Sequence, residues 1–260
     1  LKKYSQIVSL ALIIGTLSLG FSGFGQSTTV SNQPRYDEKA IHFGFYLGVN
    51  QMLYSMKLRP GFTNFTYYQE QIPEFLADSA YLRNIEAVPQ LGFTIGIVSD
   101  LRLGKYFNLR FTPELLFNER KLKYDIIKYY RGIPLLIEGY EKKVPSTHLN
   151  FPFYLKYKAV RLHNARPYVF IGGKFVIDLA AQAGKTEDVN ERDVVIKLYR
   201  SDFAFEAGAG FDFYYNWFKM GIELRMSYGF KDLLKNENNI YTDPIESIHS
   251  KVFQLVFTFE

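Results

Sequence analysis

The sequence predicts an all-β fold, an eight-stranded antiparallel transmembrane β-barrel of the outer-membrane type with short periplasmic turns and long extracellular loops. Three observations carry that expectation. Eight segments alternate apolar and polar residues with period two. The connections between them are alternately short and long, the pattern of an outer-membrane barrel. The chain of 260 residues also holds 20 Tyr and 24 Phe, and about 40 large apolar side chains share one strand face, more than an eight-stranded interior can contain. That excess rules against a soluble lipocalin-like barrel, so the apolar face points outward into lipid.

Taken in order, Lys2 and Lys3 precede an apolar run over 7–21, followed by the small residues Ser22, Gly23 and Gly25. This is a secretory signal peptide, 1–25, with cleavage after Gly25; the run is short for a transmembrane anchor of about 20 apolar residues. Residues 26–39 read as a short periplasmic N-terminal tail and 40–260 as the barrel, which places the mature chain in the outer membrane of a Gram-negative cell. Ile41, Phe43, Phe45, Leu47 and Val49 mark the outward face of the first strand, and Leu91, Phe93, Ile95 and Ile97 that of the second. Phe107, Leu109 and Phe111 begin the third, while Leu149, Phe151, Phe153 and Leu155 line the fourth. The fifth carries Val169 and Ile171, although Phe170 and Val176 fall on its polar face. Phe203 to Phe213, Met220 to Met226, and Phe253 to Phe259 supply the last three. Short connections are expected at 104–106, 158–166 and 214–217, and long loops at 51–89, 118–147, 180–202 and 231–249.

The other face is rich in glycine and carries balanced charges. Arg102, Arg110, Lys156, Lys174, Lys219 and Arg225 stand against Asp100, Glu114, Asp178, Glu206, Asp212 and Glu223. Charges inside a narrow barrel are tolerable when paired, so this set reads as a structural network that fills the lumen. Simple turns place Asp100 opposite Arg110, Asp212 opposite Lys219 and Glu206 opposite Arg225. An eight-stranded barrel leaves no aqueous channel of useful width.

No cysteine is present, which removes disulfides, Cys-based metal centres and a lipoprotein anchor. Four histidines give little material for a metal site, and none is expected. His148 and His249 fall near the long-loop rim and His42 and His163 near the opposite side, so no Ser-His-acid set converges and the chain reads as non-enzymatic, with no cofactor and no small-molecule substrate. The formal charge of +5 is spread among residues of both signs, unlike a nucleic-acid binder. Tyr67, Tyr68, Tyr129, Tyr130 and Arg131, in the first two long loops, suit a partner surface; loop packing or headgroup anchoring suits them equally.

These strands resemble the PorT family, called SprT in gliding bacteria. The likeness rests on 43–50 (FGFYLGVN), 100–111 (DLRLGKYFNLRF), 150–156 (NFPFYLK) and 208–214 (GAGFDFY), with Arg166, Pro167, Tyr168 and Val169 leading into Gly172 and Gly173. The resemblance covers most of the barrel and not the long loops, and 100–111 is its most specific block. It implies a non-catalytic outer-membrane accessory of type IX protein secretion, and of gliding motility where that occurs. Such an accessory would sit in outer-membrane lipid beside other type IX components and would not itself be the pore. The competing reading is a structural or adhesive barrel whose extracellular loops bind a surface ligand.

Overall fold

A computed structural model describes residues 32–72, 75–181 and 196–260. The signal segment expected at 1–25 lies outside the described residues. Eight strands form one closed ring: β1 (Ile41–Leu58), β2 (Ser79–Val88 continuing as Gln90–Arg102), β3 (Phe107–Phe111 continuing as Glu114–Tyr130), β4 (Ile133–Lys158), β5 (Ala165–Asp178), β6 (Ser201–Tyr214), β7 (Lys219–Gly229) and β8 (Ile245–Phe259). Each pairs antiparallel with its neighbours in sequence, and β1 pairs with both β2 and β8, which closes the barrel. The interruptions in β2 and β3 fall at Pro89 and at Thr112-Pro113, where a ladder N–H is missing. No described helix is long and apolar enough to cross a membrane; the crossing is made by strands.

Around the short-turn half, apolar residues face out and polar ones face in. Phe43 is 69% exposed, whereas Tyr46, Glu114 and Arg110 on the inner face are almost completely buried. The nine-residue alternating segment from Ile41 to Val49, five of whose side chains point outward, matches the roughly 9–11 residues a barrel strand needs to cross hydrocarbon. Trp217, 92% exposed in the turn between β6 and β7, and Tyr106 in the turn between β2 and β3 stand at the end of this apolar wall, where aromatic side chains anchor at headgroups.

Farther along the same strands the alternation inverts. On β1 the inward residues pass from Gly48 and Asn50 to Met52, Tyr54 and Met56, while outward ones pass from Leu47 and Val49 to Ser55 and Lys57. On β3 the inward set becomes Arg120, Leu122, Tyr124 and Ile126, and the outward set becomes Glu119, Lys121, Lys123 and Asp125. The solvent outside the sheet has changed from lipid to water, so the apolar side turns inward. The long loops expected at 51–89 and 118–147 are therefore largely strand. β3 and β4 form one hairpin closed by the two-residue turn Arg131-Gly132, with φ of 51° and 75°, as a type I′ turn requires. The apolar outward face that marks a membrane strand is absent there, which is why those segments read as loops.

The inward residues of this extension build an apolar core outside the membrane. Leu82, Leu122, Tyr124 and Ile126 pack with Ile72, Ile196, Leu198, Ile240, Tyr241 and Ile248. Below it, Met52, Leu116 and Val252, from β1, β3 and β8, form a small buried apolar cluster between cap and lumen.

Two features at the short-turn end differ in detail from the expectation. The β2–β3 turn does pair Asp100 with Arg110. The β6–β7 turn, however, pairs Tyr214 with Lys219, so Asp212 faces Gly221 and Glu206 faces Ser227, a register two residues from the one expected. Residues 32–39 fold back across the mouth. Asn32 and Gln33 donate to the carbonyls of Tyr214 and Tyr215, the Tyr36 ring stacks on His42 at 4.1 Å, and Asp37 meets Arg166 at 2.8 Å.

Because the chain lacks cysteine, engineered pairs report register cleanly. Ala209→Cys with Leu224→Cys, directly opposed across β6 and β7, should form a disulfide on oxidation in the folded barrel; Ala207→Cys with Leu224→Cys should not. Efficient cross-linking of the second pair alone would overturn the register. In the cap, Leu122→Ala removes a fully buried side chain and should cost about 2–5 kcal/mol locally. Limited proteolysis should then cut within 118–147 while the membrane-embedded part keeps its heat-resistant gel mobility; an unchanged digestion pattern would count against a packed cap.

Candidate functional site

The lumen is filled by ion pairs arranged in levels. At the short-turn end Arg110 of β3 donates to Asp100 of β2 at 2.8 and 3.1 Å, to Glu223 of β7 and to Glu260 at 3.1 Å. Asn108 donates to Asp100 at 2.6 Å. Lys156 of β4 holds Asp212 of β6 at 3.0 Å, and Lys219 holds Glu260 at 2.8 Å. One level up, Arg225 donates to Glu223 at 2.8 Å through Nε, and Tyr168 donates to the same carboxylate at 2.7 Å. Next come Lys174 against Glu206 at 2.6 Å, with the Tyr154 hydroxyl donating to Glu206, and Tyr46 and Asn150 donating to Glu114 at 2.7 and 2.6 Å. Arg225 and Lys156 also lie over the rings of Tyr46 and Tyr168, at 4.7 and 3.5 Å.

The large rings fit because glycines face them. A Cβ on Gly96 would lie 2.4 Å from the Tyr46 ring, and one on Gly208 would lie 2.3 Å from Phe170. Phe170, out of place in the alternation, therefore fills a notch cut for it.

Most of the sequence-nominated charges meet in this core, with two displacements. Arg102 sits at the short-turn rim, donating to the carbonyls of Glu38 and Gly104. Asp178 lies at the far end beside His148, at 3.4 Å, where Arg120 also reaches His148 at 2.6 Å. Arg225 is partnered by Glu223 and not by Glu206, whose cation is Lys174. Glu260, Tyr46, Tyr154 and Arg120 are members that the sequence reading passed over. Glu260 and Arg120 were both discoverable, since each continues the inward period of its strand.

On the outside, the residues nominated for partner contact separate. Tyr67 is 2% exposed, part of the cap core, and donates to Asp243 at 3.1 Å; burial and then the Asp243 charge push its hydroxyl above the usual tyrosine range. It is a packing residue, which corrects its nomination as a binding one. Tyr68 remains exposed. Tyr129, Tyr130 and Arg131 lie at the β3–β4 tip, where Ile133, Leu135 and Leu136 are exposed too, Ile133 by 70%. The tip thus exposes apolar side chains on both faces of the hairpin, Ile133 and Leu135 on one and Leu136 on the other.

Among the described residues no three His, Asp or Glu side chains are placed to hold a metal ion. An apolar hollow of about 650 Å³ lies on the outer wall between Val49, Leu91, Ala207, Ala209, Leu224 and Leu255, where lipid contacts the barrel.

A family model described as outer membrane protein beta-barrel domain matches residues 24–235. Among solved structures the chain is similar to Neisserial surface protein A (NspA), at 9% identity and a TM-score of 0.40, covering 85% of this chain and 98% of that one. It is similar to the outer membrane protein OprG from Pseudomonas aeruginosa at 12% identity and 0.40, covering 85% and 95%. It is also similar to Ail, the attachment invasion locus protein of Yersinia pestis, at 10% identity and 0.27, covering 85% and 98%. No curated protein matches the chain.

The corrected pairing predicts which charge swap is tolerated. Lys174→Glu or Glu206→Lys alone strands a buried charge and should cost about 3–5 kcal/mol, seen as loss of the heat-resistant folded band in detergent. The double swap should recover most of that loss. Exchanging Glu206 with Arg225 should give no recovery; recovery there and none at Lys174–Glu206 would reverse the assignment.

Proposed function

The chain belongs to the outer membrane protein β-barrel domain family, and from that premise we propose that it serves type IX protein secretion as a non-enzymatic accessory of the translocon, not as its pore. The observation that carries the non-conducting part is the sealed lumen. The segment 32–39 lies across one mouth, ion pairs fill the middle, and Met52, Leu116 and Val252 are buried toward the far end with Arg120, His148 and Asp178. A barrel that passes nothing acts through its surfaces. The apolar hairpin tip at Tyr130, Ile133, Leu135 and Leu136 is the surface on the extracellular side suited to another secretion component. The type IX assignment itself is supported by the resemblance of the barrel strands to the PorT family. In this reading 1–25 directs export, 40–260 is the membrane body, and the lumen charges are structural.

The adhesive reading draws on the same tip, because exposed apolar and aromatic side chains outside the cell also suit a surface ligand. The two readings part in vivo. Deleting the gene should trap type IX cargo in the periplasm, and complementation should release it. Complementing with Ile133→Ser, Leu135→Ser and Leu136→Ser together should leave the barrel in the outer membrane and cargo still trapped. Normal export in the deletion strain would remove the secretion reading and favour adhesion. Purified protein in planar bilayers should show no stable single channels; a reproducible conductance step would overturn the sealed lumen.

A further inference from the structure

We propose that the short-turn rim carries a binding site for the headgroup of an anionic phospholipid. The inference uses the outer-membrane location and is independent of the secretion reading. Between the turn at 103–106, the turn at 159–164 and the segment 32–39 lies a cavity of about 310 Å³. Arg102, Lys105, Arg161 and Arg166 line it, against Asp37 and Glu38.

The excess positive charge is real in the geometry. Asp37 is committed to Arg166 at 2.8 Å and faces Lys158 at 3.8 Å. Arg161 is held by the carbonyls of Asn32, Gln33 and His163, and Arg102 by those of Glu38 and Gly104. Carbonyls orient a guanidinium without cancelling its charge. Arg102, Lys105 and Arg161 make no ion pair among the described residues. Arg102 and Arg161 are thus held by carbonyls, Lys105 stands beside them, and the four cations of the cavity outnumber its two carboxylates, which suits an anion.

The position selects a lipid. The cavity opens just past Phe107 and Tyr157, a cross-strand pair at the end of the apolar wall, which is headgroup level. Tyr106 and Val160 line the same cavity, and Leu103, Val160 and Leu162 around its lip are each at least half exposed. A phosphate among the guanidiniums would leave its acyl chains against these residues and the barrel wall. An acidic protein segment would satisfy the charges but would leave the apolar lip uncovered.

The test is native mass spectrometry of the full chain in mild detergent, titrated with dioleoyl phosphatidylglycerol, dioleoyl phosphatidylcholine or inorganic phosphate. The wild type should retain one phosphatidylglycerol per chain with a preference of about thirtyfold over phosphatidylcholine, the scale expected of two juxtamembrane cations. Arg102→Gln with Lys105→Gln should abolish the preference while heat-resistant folding persists. Should that double variant fail to fold, Lys105→Glu decides, because its ammonium makes no ion pair among the described residues. Equal retention of both lipids by the wild type, or a preference intact in the folded variants, would overturn the site. Displacement of the lipid by an equal concentration of inorganic phosphate would assign it to a free anion. Stronger competition by a polyglutamate peptide would assign it to a protein partner.

Discussion

The guanidinium of Arg110 sits inside a closed sheet and touches Asp100, Glu223 and Glu260. It reaches from β3 to β2, to β7 and to the residue that follows β8, so it ties together strands from both halves of the chain across the lumen. A single buried cation surrounded by three carboxylates cannot stand alone; Lys219 takes up negative charge at Glu260 and Arg225 at Glu223, while Lys156 lies 3.9 Å from Asp100. Such networks contribute little net stability compared with an apolar filling of the same volume, yet removing one member is costly because the others are left charged and dry. What such a network constrains is register: each strand that carries a lumen charge must deliver it at one height, or a neighbour is stranded.

That requirement explains why two kinds of core share one sheet. Inside the hydrocarbon the outer face is solvated by lipid, so apolar residues belong outside and the lumen receives what remains, namely charges, tyrosines and glycines. Past the headgroups the outer face meets water, and the same period-two backbone delivers Leu122, Tyr124 and Ile126 inward. Neither arrangement needs a new fold. The buried cluster of Met52, Leu116 and Val252 marks the change, with the Arg120, His148 and Asp178 group beside it and the oily cap beyond.

The membrane part was legible because lipid imposes a one-sided apolar pattern, and the β2–β3 register was legible because a tight turn fixes it. The β6–β7 register was not. A slip of two residues returns every side chain to its own face, so alternation cannot detect it, and only the packing of Glu206 against Lys174 distinguishes the two. The cap was hidden for another reason. Its outward residues, Glu119, Lys121 and Lys123, look like a solvated loop, and nothing local says that Leu122 and Tyr124 between them find Ile240 and Tyr241 from a segment more than a hundred residues later. Tyr67 misled in the same way, since a tyrosine in a long connection reads as a surface residue until its burial partners are known.

Separating the two cores also separates the tasks they can perform. The lumen fixes the ring and leaves little freedom to vary, because each of its charges answers to several others. The cap is held by apolar contacts, which tolerate volume-conserving exchange far better than paired charges do. A surface built on the cap, such as the β3–β4 tip, can therefore change its side chains without reaching the ion pairs that hold the barrel closed. On this argument the two parts answer to different constraints: the part set between lipid outside and charge inside must hold its pattern, and the part that faces water has more freedom in its side chains.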